Sequence, residues 1–315
     1  MGKLPFELIN RKIKIISDES TVSKIKDQEV KDLIHNGIII IDKPAGPTSH
    51  QVSDFVKKIL HIDKAGHSGT LDPNVTGVLP VALDKGTKII QALLNAGKEY
   101  ICVMHVHEDF SKEKITNAIM SFMGKIQQLP PIKSAVKRQI REREIYYLEI
   151  IEIKGRDVLF KIGCQGGTYI RKLCSDIGEK LDCGAHMAEL RRTKAGPFRE
   201  DQVVILQDLA DAYHAYKNGD DSLLKKIIMP IETGIKHLPK IWVKKSTVKS
   251  LCTGAQLKMP GILQAETEIK IGELIAVLNP ESKLVLLGEA KIRSREIKPN
   301  KKGLVVKTMR VFMIK

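Results

Sequence analysis

Apolar residues recur along the chain in two patterns, one alternating and one with helical spacing. IIIIDKPAGPTS (38–49) begins as a buried strand and turns at its Pro and Gly residues. Thr48, with Gln51 three residues later, has the spacing of a capped helix start. VLFKIGC (158–164) alternates like a second strand, and TYIRKLCSDIGEKL (168–181) has a helical period. Because strands and helices alternate irregularly, the pattern predicts an α+β fold rather than a doubly wound parallel sheet.

The pattern of apolar and polar residues changes near residue 240. Residues 200–238 predict a mostly helical connector, and short apolar strands broken by Pro and Gly turns follow it, as in IWVKK and GLVVKTMRVFMI. This pattern indicates a small β-barrel. The first 37 residues are charged and only weakly helical, so we expect an extension rather than a core element. The predicted units are therefore 1–37, 38–239 and 240–315.

Charge favours a polyanionic partner. The chain has 52 Lys and Arg against 37 Asp and Glu, a formal net charge of +15. Residues 240–315 hold 16 of these cations and 6 of the anions, which gives this segment +10. Such an excess attracts nucleic acid over long range, although a generally basic chain without a specific partner would show it too.

Several other chemistries lack their sequence signals. No phosphate-binding glycine loop is present, and the five cysteines form no CxxC pair. His105 and His107 are two residues apart on a predicted strand, but two ligands do not make a metal site. Cys102 lacks the neighbouring cation that activates a thiol. We therefore expect no metal and no cofactor, and, without an apolar run long enough to span a membrane or a signal peptide, a soluble cytoplasmic protein.

One carboxylate stands in an unusual loop. HSGTLDPNVTG (67–77) brackets Asp72 with Gly and Pro residues, which a simple turn would also explain. Arg171 follows a double glycine at the start of a predicted helix, where an arginine and a helix N-terminus together can hold an anion. If that anion is Asp72, the arginine favours its ionised form, as a nucleophile or base requires.

Two further stretches are basic enough to follow an RNA backbone, although solvated charged faces have the same composition. PPIKSAVKRQIRERE supplies one set and ELRRTKAGPF the other, and Tyr100 could stack on a base or simply pack in the core. The candidate phosphate contacts are Lys133, Lys137, Arg138, Arg141, Arg143, Arg191, Arg192 and Lys194.

Five motifs in order resemble those of the TruB family of pseudouridine synthases. They are IDKPAGPTSHQV, AGHSGTLDPNVTGVLP, KEY, GGTYIRKLCSDIG and AHMAELRRTKAGPF. The LPFE-type N-terminal segment, the basic stretch after residue 130 and GAQLKMPGI are similar to the H/ACA guide-RNA (dyskerin-type) branch in its short archaeal form. The resemblance implies a mixed, largely antiparallel catalytic sheet with flanking helices, followed by a PUA-type barrel on which we expect the N-terminal extension to pack.

The resemblance also implies a reaction and roles for individual residues. In this family the N-glycosidic bond of a uridine is cleaved and the base reattaches through carbon. Asp72 matches the nucleophile, Tyr100 the tyrosine that stacks on the flipped base and assists proton transfer, and Arg171 the arginine that pairs with the aspartate. His67 matches the histidine that displaces the base, and Leu190 lines the pocket.

The same resemblance implies the partners. They are an H/ACA guide RNA that pairs with substrate rRNA, or possibly tRNA, and small accessory proteins, with no membrane. Lys43, in the first motif, joins the residues expected to bind substrate. Two alternatives remain: a stand-alone tRNA pseudouridine synthase acting on the TΨC loop, and a non-catalytic ribonucleoprotein scaffold. The extension and the basic C-terminal unit argue against the first, and intact Asp72, Tyr100 and Arg171 argue against the second.

Overall fold

A computed structural model describes residues 2–18, 21–25, 27–130, 138–299 and 301–313 of the chain. The predicted phosphate contacts Lys133 and Lys137 lie outside these described residues. Within them the chain forms sixteen strands and nine α-helices, joined by turns and short 3-10 segments.

The strands and helices are numbered in chain order. The strands are β1 (Ile13–Ile15), β2 (Ile38–Lys43), β3 (Ala65–His67), β4 (Thr76–Leu83), β5 (Lys98–Val106), β6 (Gly124–Gln128), β7 (Arg141–Lys154), β8 (Asp157–Cys164), β9 (Ala185–Ala195), β10 (Phe198–Arg199), β11 (Lys240–Val243), β12 (Leu257–Lys258), β13 (Ile262–Glu266), β14 (Leu274–Leu278), β15 (Leu284–Ala290) and β16 (Leu304–Val311). The helices are α1 (Pro5–Leu8), α2 (Val30–Asn36), α3 (Ser49–Leu60), α4 (Ile90–Leu94), α5 (Lys112–Met120), α6 (Ile170–Lys180), α7 (Leu206–Lys217), α8 (Ser222–Ile227) and α9 (Lys245–Cys252).

Two sheets organise the molecule. The first has the order β2-β4-β9-β5-β8-β7-β6, with β3 added to β4 and β10 to β9. β4 and β9 run parallel, whereas the other pairs of this sheet are antiparallel. The second sheet has the order β1-β13-β11-β14-β15-β16-β12. The α+β class, the largely antiparallel catalytic sheet and the small C-terminal β-rich unit are thus confirmed.

The alternating and helical patterns identified the core of the first sheet. Val158, Phe160 and Ile162 on β8 are fully buried, and they pack in one cluster with Leu173 and Ile177 of α6. The helix covers this face of the sheet because its apolar residues recur with the helical period. This cluster fixes the direction in which α6 begins, and therefore where Arg171 lies.

Two long strands were not predicted. β7 starts with the charged run Arg-Glu-Arg-Glu, and β9 carries arginines and lysine among few apolar residues. Both nevertheless lie inside the sheet, β9 between β4 and β5 and β7 between β8 and β6. Hydrogen bonding and packing with neighbouring strands decide their conformation, because local apolar alternation is too weak to do so.

The N-terminal extension packs against both sheets. β1 joins the edge of the second sheet beside β13. Contrary to the expectation that the extension lies outside the core, Val30, Leu33 and Ile34 of α2 are buried in one cluster with residues of β2 and α3. A further cluster joins the two sheets directly, since Trp242 and Leu263 pack with residues of the first sheet. No helix in the described ranges is both long and apolar enough to cross a membrane.

Candidate active site

Asp72 lies on the connection between β3 and β4, residues 68–75, which we call the Asp72 loop. Its backbone is fastened to the start of α3: the buried Ser49 hydroxyl accepts from Leu71 N (2.8 Å) and donates to Leu71 O (3.0 Å). Val75 N donates to Asp72 O at 3.0 Å, which closes a tight turn around the carboxylate. The Asp72 side chain is about half exposed. The loop therefore presents an accessible carboxylate from a fixed backbone.

Lys43 holds the loop immediately after Asp72. Its side chain is fully buried, and Nζ donates to the carbonyl oxygens of Pro73 (2.8 Å), Val75 (2.9 Å) and Pro44 (2.8 Å). Burial lowers the pKa of Lys43, and the positive charge of Arg192 acts in the same direction. Lys43 therefore joins the end of β2 to the loop, and its ammonium group does not reach the surface.

Arg192 holds the other end of the loop. It is 1% exposed, and its guanidinium donates to Val78 O (2.7 Å) and Gly69 O (3.2 Å). Its main chain also passes close to Gly77, where a Cβ would lie 2.2 Å from Arg192 O and φ is +102°. Only glycine fits at position 77, because both the space and the backbone conformation exclude a side chain.

Tyr100 lies beneath the loop, opposite Arg192 in the pairing of β5 with β9. It is 8% exposed and belongs to the same buried cluster as Leu71 and Val75. Burial raises the pKa of Tyr100, against a smaller opposing effect of the positive charge of Arg192. Tyr100 is therefore a neutral phenol at physiological pH.

A third buried cation, Lys98, lies two residues before Tyr100. Burial and the charge of Arg192 lower the pKa of Lys98 to about 7. Its ammonium donates to Leu93 O (3.0 Å) and Ala96 O (2.6 Å). Like Lys43 and Arg192, it is hydrogen-bonded to backbone carbonyls. Lys98 approaches the Asp72 loop only through its aliphatic stem, since a Cβ on Gly69 would lie 3.8 Å from Lys98 Cε.

Arg171 reaches Asp72 from the first turn of α6, and the structure brings the two side chains together in a direct ion pair. Both side chains are about half exposed. An ion pair that exposed contributes little to folding, typically about 0–1 kcal/mol. Its significance is local: it places a guanidinium from the first turn of α6 against the half-exposed carboxylate.

His67 and Leu190 lie at the edges of the site. His67 ends β3 next to the Asp72 loop, and burial, together with the charges of Arg192 and His50, lowers the pKa of His67, so its imidazole is neutral at physiological pH. Its Nδ1 is buried and has no hydrogen-bond partner among the residues that the structure describes. Leu190 faces Cys102 across the β5–β9 pairing and is partly buried against the first core.

The remaining basic residues fall into two groups. Arg138 is exposed, and Arg141 is partly buried at the start of β7. Arg191, in contrast, makes two hydrogen bonds to Asp42 (3.0 and 2.9 Å) and also pairs with Glu200. Those carboxylates raise the pKa of Arg191, which stays charged and already paired.

The assignment of Lys43, Arg191 and Arg192 to substrate contact stays a prediction, and their partners within the protein argue against it. Lys43 and Arg192 are buried beneath the loop, and Arg191 is engaged by two carboxylates. Arg191 and Arg192 were grouped with RNA-binding residues because charge in a sequence does not reveal which side of a strand it occupies, and Lys43 was grouped with them because of its place in the first motif. In this structure the two buried cations organise the Asp72 loop.

The two histidines and the cysteine that the sequence analysis argued against as metal ligands or a nucleophile have partners in the structure. His105 Nδ1 lies 2.7 Å from a carboxylate oxygen of Asp157, and His107 Nε2 lies 2.9 Å from His186 Nδ1. Among the described residues no cluster of three or more His, Cys, Asp or Glu residues could hold a metal ion. A hydrogen bond with Cys174 and burial raise the pKa of Cys102, which makes it a poor nucleophile.

Sequence reasoning missed Ser49 and Lys98 as parts of the site. Ser49 is buried and bonds the backbone of Leu71 on the Asp72 loop, and the stem of the buried Lys98 lies beside Gly69. A signal was available for the related Lys43: a lysine that ends the apolar run IIIID and precedes proline leaves little room for a solvated side chain. No comparable local signal marks Ser49, whose partner Leu71 is 22 residues away.

The chain matches the models of several known protein families along its length. Residues 57–170 match the N-terminal domain of TruB family pseudouridylate synthases, and residues 171–236 match the C-terminal domain of tRNA pseudouridylate synthase B. Residues 239–312 match the PUA domain, and residues 25–53 match the DKCLD domain. Together these matches cover β2 to β16 and the last 13 residues of the extension.

Whole-chain similarities are equally extensive. A probable tRNA pseudouridine synthase B of Methanopyrus kandleri is 48% identical over 316 residues, covering 99% of this chain and 93% of that protein. The corresponding Pyrococcus furiosus protein is 50% identical over 282 residues, covering 89% and 83%. A crystal structure of a Cbf5-Nop10-Gar1 complex matches with a TM-score of 0.91 and 46% identity, covering 99% of this chain and 97% of that chain. A structure of an H/ACA RNP bound to a substrate RNA containing 2'-deoxyuridine matches with a TM-score of 0.89 and 43% identity, again covering 99% and 97%. The chain therefore belongs to the TruB family of pseudouridine synthases.

Proposed function

We propose that this RNA pseudouridine synthase is the catalytic subunit of an H/ACA ribonucleoprotein, in which a guide RNA selects the target uridine in rRNA. The similarity to a Cbf5-Nop10-Gar1 complex and to an H/ACA RNP with substrate RNA supports this assignment along 99% of the chain. Small accessory proteins of the Nop10 and Gar1 type would complete the particle, and the reaction would take place in the cytoplasm.

Asp72 is proposed as the nucleophile. The reaction breaks the bond between the ribose C1' and N1 of uracil and forms a bond between C1' and C5. The C5 proton is then lost and N1 gains one, so that no net oxidation or reduction occurs. Arg171 would hold the carboxylate in position until the base enters, and the pinned backbone would limit the reorganisation needed for attack.

Tyr100 and His67 are proposed to stabilise the RNA while its target base is extruded. Taking a base out of an RNA stack costs about a few kcal/mol, part of which stacking on an aromatic ring can offset. His67 would occupy the space the base leaves, and Leu190 would contact the base inside the pocket. Tyr100 is buried in this structure, so we expect its ring to become accessible only when the base displaces neighbouring side chains.

The observation that carries this function is the half-exposed ion pair between Arg171 and Asp72, whose loop is held by Lys43, Ser49 and Arg192. Burying three polar side chains beneath an ordinary surface turn would be energetically unfavourable, since each must be desolvated. A loop that must keep one carboxylate in a fixed place justifies that cost.

A second substrate is supported by a separate observation. The relatives from Methanopyrus kandleri and Pyrococcus furiosus are named probable tRNA pseudouridine synthase B. We therefore propose that tRNA is an additional substrate, on which the enzyme acts without a guide RNA.

Reconstitution separates these functions. The full chain is combined with Nop10- and Gar1-type proteins and incubated with a uridine-containing rRNA oligonucleotide, with and without a complementary guide RNA. The chain alone is incubated with a tRNA transcript. We expect pseudouridine in the oligonucleotide only when the guide is present. Equal conversion of the oligonucleotide with and without guide RNA would overturn the proposal that a guide selects the target. Absence of pseudouridine in every reaction would indicate a non-catalytic scaffold.

A further inference from the structure

A buried glutamine connects the first sheet to the helix that carries Arg171. Gln128, the last residue of β6, is 2% exposed. Its side-chain oxygen accepts a hydrogen bond from Tyr169 N at 2.9 Å, and its side-chain NH₂ donates to Tyr169 O at 3.0 Å. One amide side chain thus binds both backbone groups of a single residue, 41 positions away in the sequence.

Tyr169 is the N-cap residue of α6, and this position usually needs help from a side chain. Ser, Thr, Asp and Asn are preferred at N-caps because their oxygens can accept from the first turn of the helix. Tyr169 makes no such side-chain cap. Its own carbonyl accepts the first helical hydrogen bond, from Leu173 N at 3.0 Å. The two hydrogen bonds from Gln128 therefore fix the orientation of the peptide groups from which α6 starts.

The approach to this N-cap is held from β7 as well. Arg143 Nε donates to Gly167 O at 3.2 Å, and Gln165 N donates to Glu144 O at 2.8 Å. These contacts determine the path of the double-glycine turn. Gln128 alone among these side chains contacts the residue at which the helix starts, two positions before Arg171.

We propose that Gln128 is a positioning residue for the isomerisation, acting through the start of α6 to aim Arg171 at Asp72. The inference rests on the proposed function of the Asp72–Arg171 pair. A side chain on the first turn of a helix moves with the N-cap peptide, so a rotation there displaces the Arg171 guanidinium relative to the Asp72 loop, which Lys43 and Ser49 hold independently. Gln128 does not touch either member of the pair; its effect is geometric.

The direct test compares Gln128→Met with Gln127→Met. Methionine keeps the length and approximate volume of glutamine but removes both hydrogen bonds, and Gln127 is the exposed neighbour on the same strand. We expect Gln128→Met to lower the single-turnover rate of pseudouridine formation about tenfold to a hundredfold, as misplacement of a reactive group by about 1 Å does, with RNA affinity unchanged. Gln127→Met should match wild type. Gln128→Glu keeps an acceptor for Tyr169 N and should fall between the two.

A double-mutant cycle distinguishes positioning from general damage. In an Arg171→Lys background, the additional change Gln128→Met should reduce the rate less than about threefold, because the group that it positions is already altered. An undiminished loss in that background would show that Gln128 does not act through Arg171, and a wild-type rate for Gln128→Met would overturn the inference outright.

Amide hydrogen exchange provides a readout that needs no turnover. The Tyr169 amide should exchange at least about tenfold faster in Gln128→Met than in Gln127→Met, because its hydrogen-bond acceptor is gone. Gln128→Ala, which also lacks the acceptor, serves the same comparison if the methionine variant does not fold. If wild type forms no pseudouridine, the proposed function fails, while the exchange rates still decide whether Gln128 holds the N-cap. Equal Tyr169 exchange in the two methionine variants would contradict the inference.

Discussion

Cations beneath the Asp72 loop and cations on the second sheet have different environments. Lys43 and Arg192 are buried and donate to backbone carbonyls of the loop and the adjoining β4. Lys307 and Arg310 on β16 are exposed to solvent. Buried cations contribute by fixing the backbone, whereas exposed ones contribute long-range attraction to a polyanion. The difference teaches that a basic sequence can hold two populations of charge with unrelated purposes.

The largest effect is expected at Arg192. In Arg192→Met the carbonyls of Val78 and Gly69 lose a buried donor, and Tyr100 loses its neighbour. We expect the free energy of unfolding to fall by about 3 kcal/mol and pseudouridine formation to be nearly lost. Urea denaturation and a single-turnover assay measure the two. A variant with normal stability and reduced RNA affinity would instead return Arg192 to the RNA-binding group.

Lys43→Met should have a smaller effect on stability and a large one on catalysis. Three carbonyls lose their shared donor, but the methionine fills the same space, so we expect a loss of about 2 kcal/mol. The loop after Asp72 should loosen and the reaction rate should fall more than tenfold, with RNA binding retained. Amide exchange of Val75, whose N–H donates to Asp72 O, reports the loosening. Unchanged exchange there would contradict a pinning role.

Because Lys98 is buried, we expect it to make the free energy of unfolding depend on pH. The pKa of Lys98 is about 7 in the folded chain, whereas an unburied lysine has 10.5. Between these values the unfolded chain binds more protons, so the free energy of unfolding rises with pH, and below pH 7 the full cost of the buried charge is present. The stability difference between wild type and Lys98→Met should therefore shift in favour of wild type by about 2 kcal/mol from pH 7 to pH 9. Parallel stability curves for the two proteins would show that the lysine keeps its ordinary pKa.

The smallest effects are expected from the exposed cations. Arg138→Gln, or Lys307→Gln on the second sheet, should change the free energy of unfolding by less than about 0.5 kcal/mol. Each should weaken RNA binding a few-fold and reduce the salt dependence of affinity by about one unit of slope, provided that the residue contacts a phosphate. Filter binding at several salt concentrations tests this. An unaltered slope would leave the residue as a solvated surface charge.

Several strands and helices could be predicted because the sequence patterns that specify them are local. β8 and α6 were recognised from their periods, and the Thr48–Gln51 capping box is present with both of its hydrogen bonds. The Asp72 loop and the start of α6 were both singled out, although nothing in the sequence shows that Asp72 and Arg171, 99 positions apart, form a pair.

What could not be predicted is which polar side chains face inward. β9 places Arg192 in the interior and Arg191 against two carboxylates, and the sequence presents them as one basic pair. Register against β4 and β5 decides this, because one step along a strand reverses the face. The same applies to Gln128 and Gln127, of which only the first is buried.

The most direct test of the account is Asp72→Asn, compared with wild type in the guided reaction. The substitution keeps the size of the side chain and the loop contacts of Lys43 and Ser49, which involve backbone atoms of neighbouring residues. It removes the charge that the nucleophile requires. We predict normal folding and RNA affinity within about twofold of wild type, with pseudouridine formation reduced at least about a thousandfold. Equal conversion of the uridine by the two proteins would contradict the central claim, and the support beneath the loop would then need another explanation.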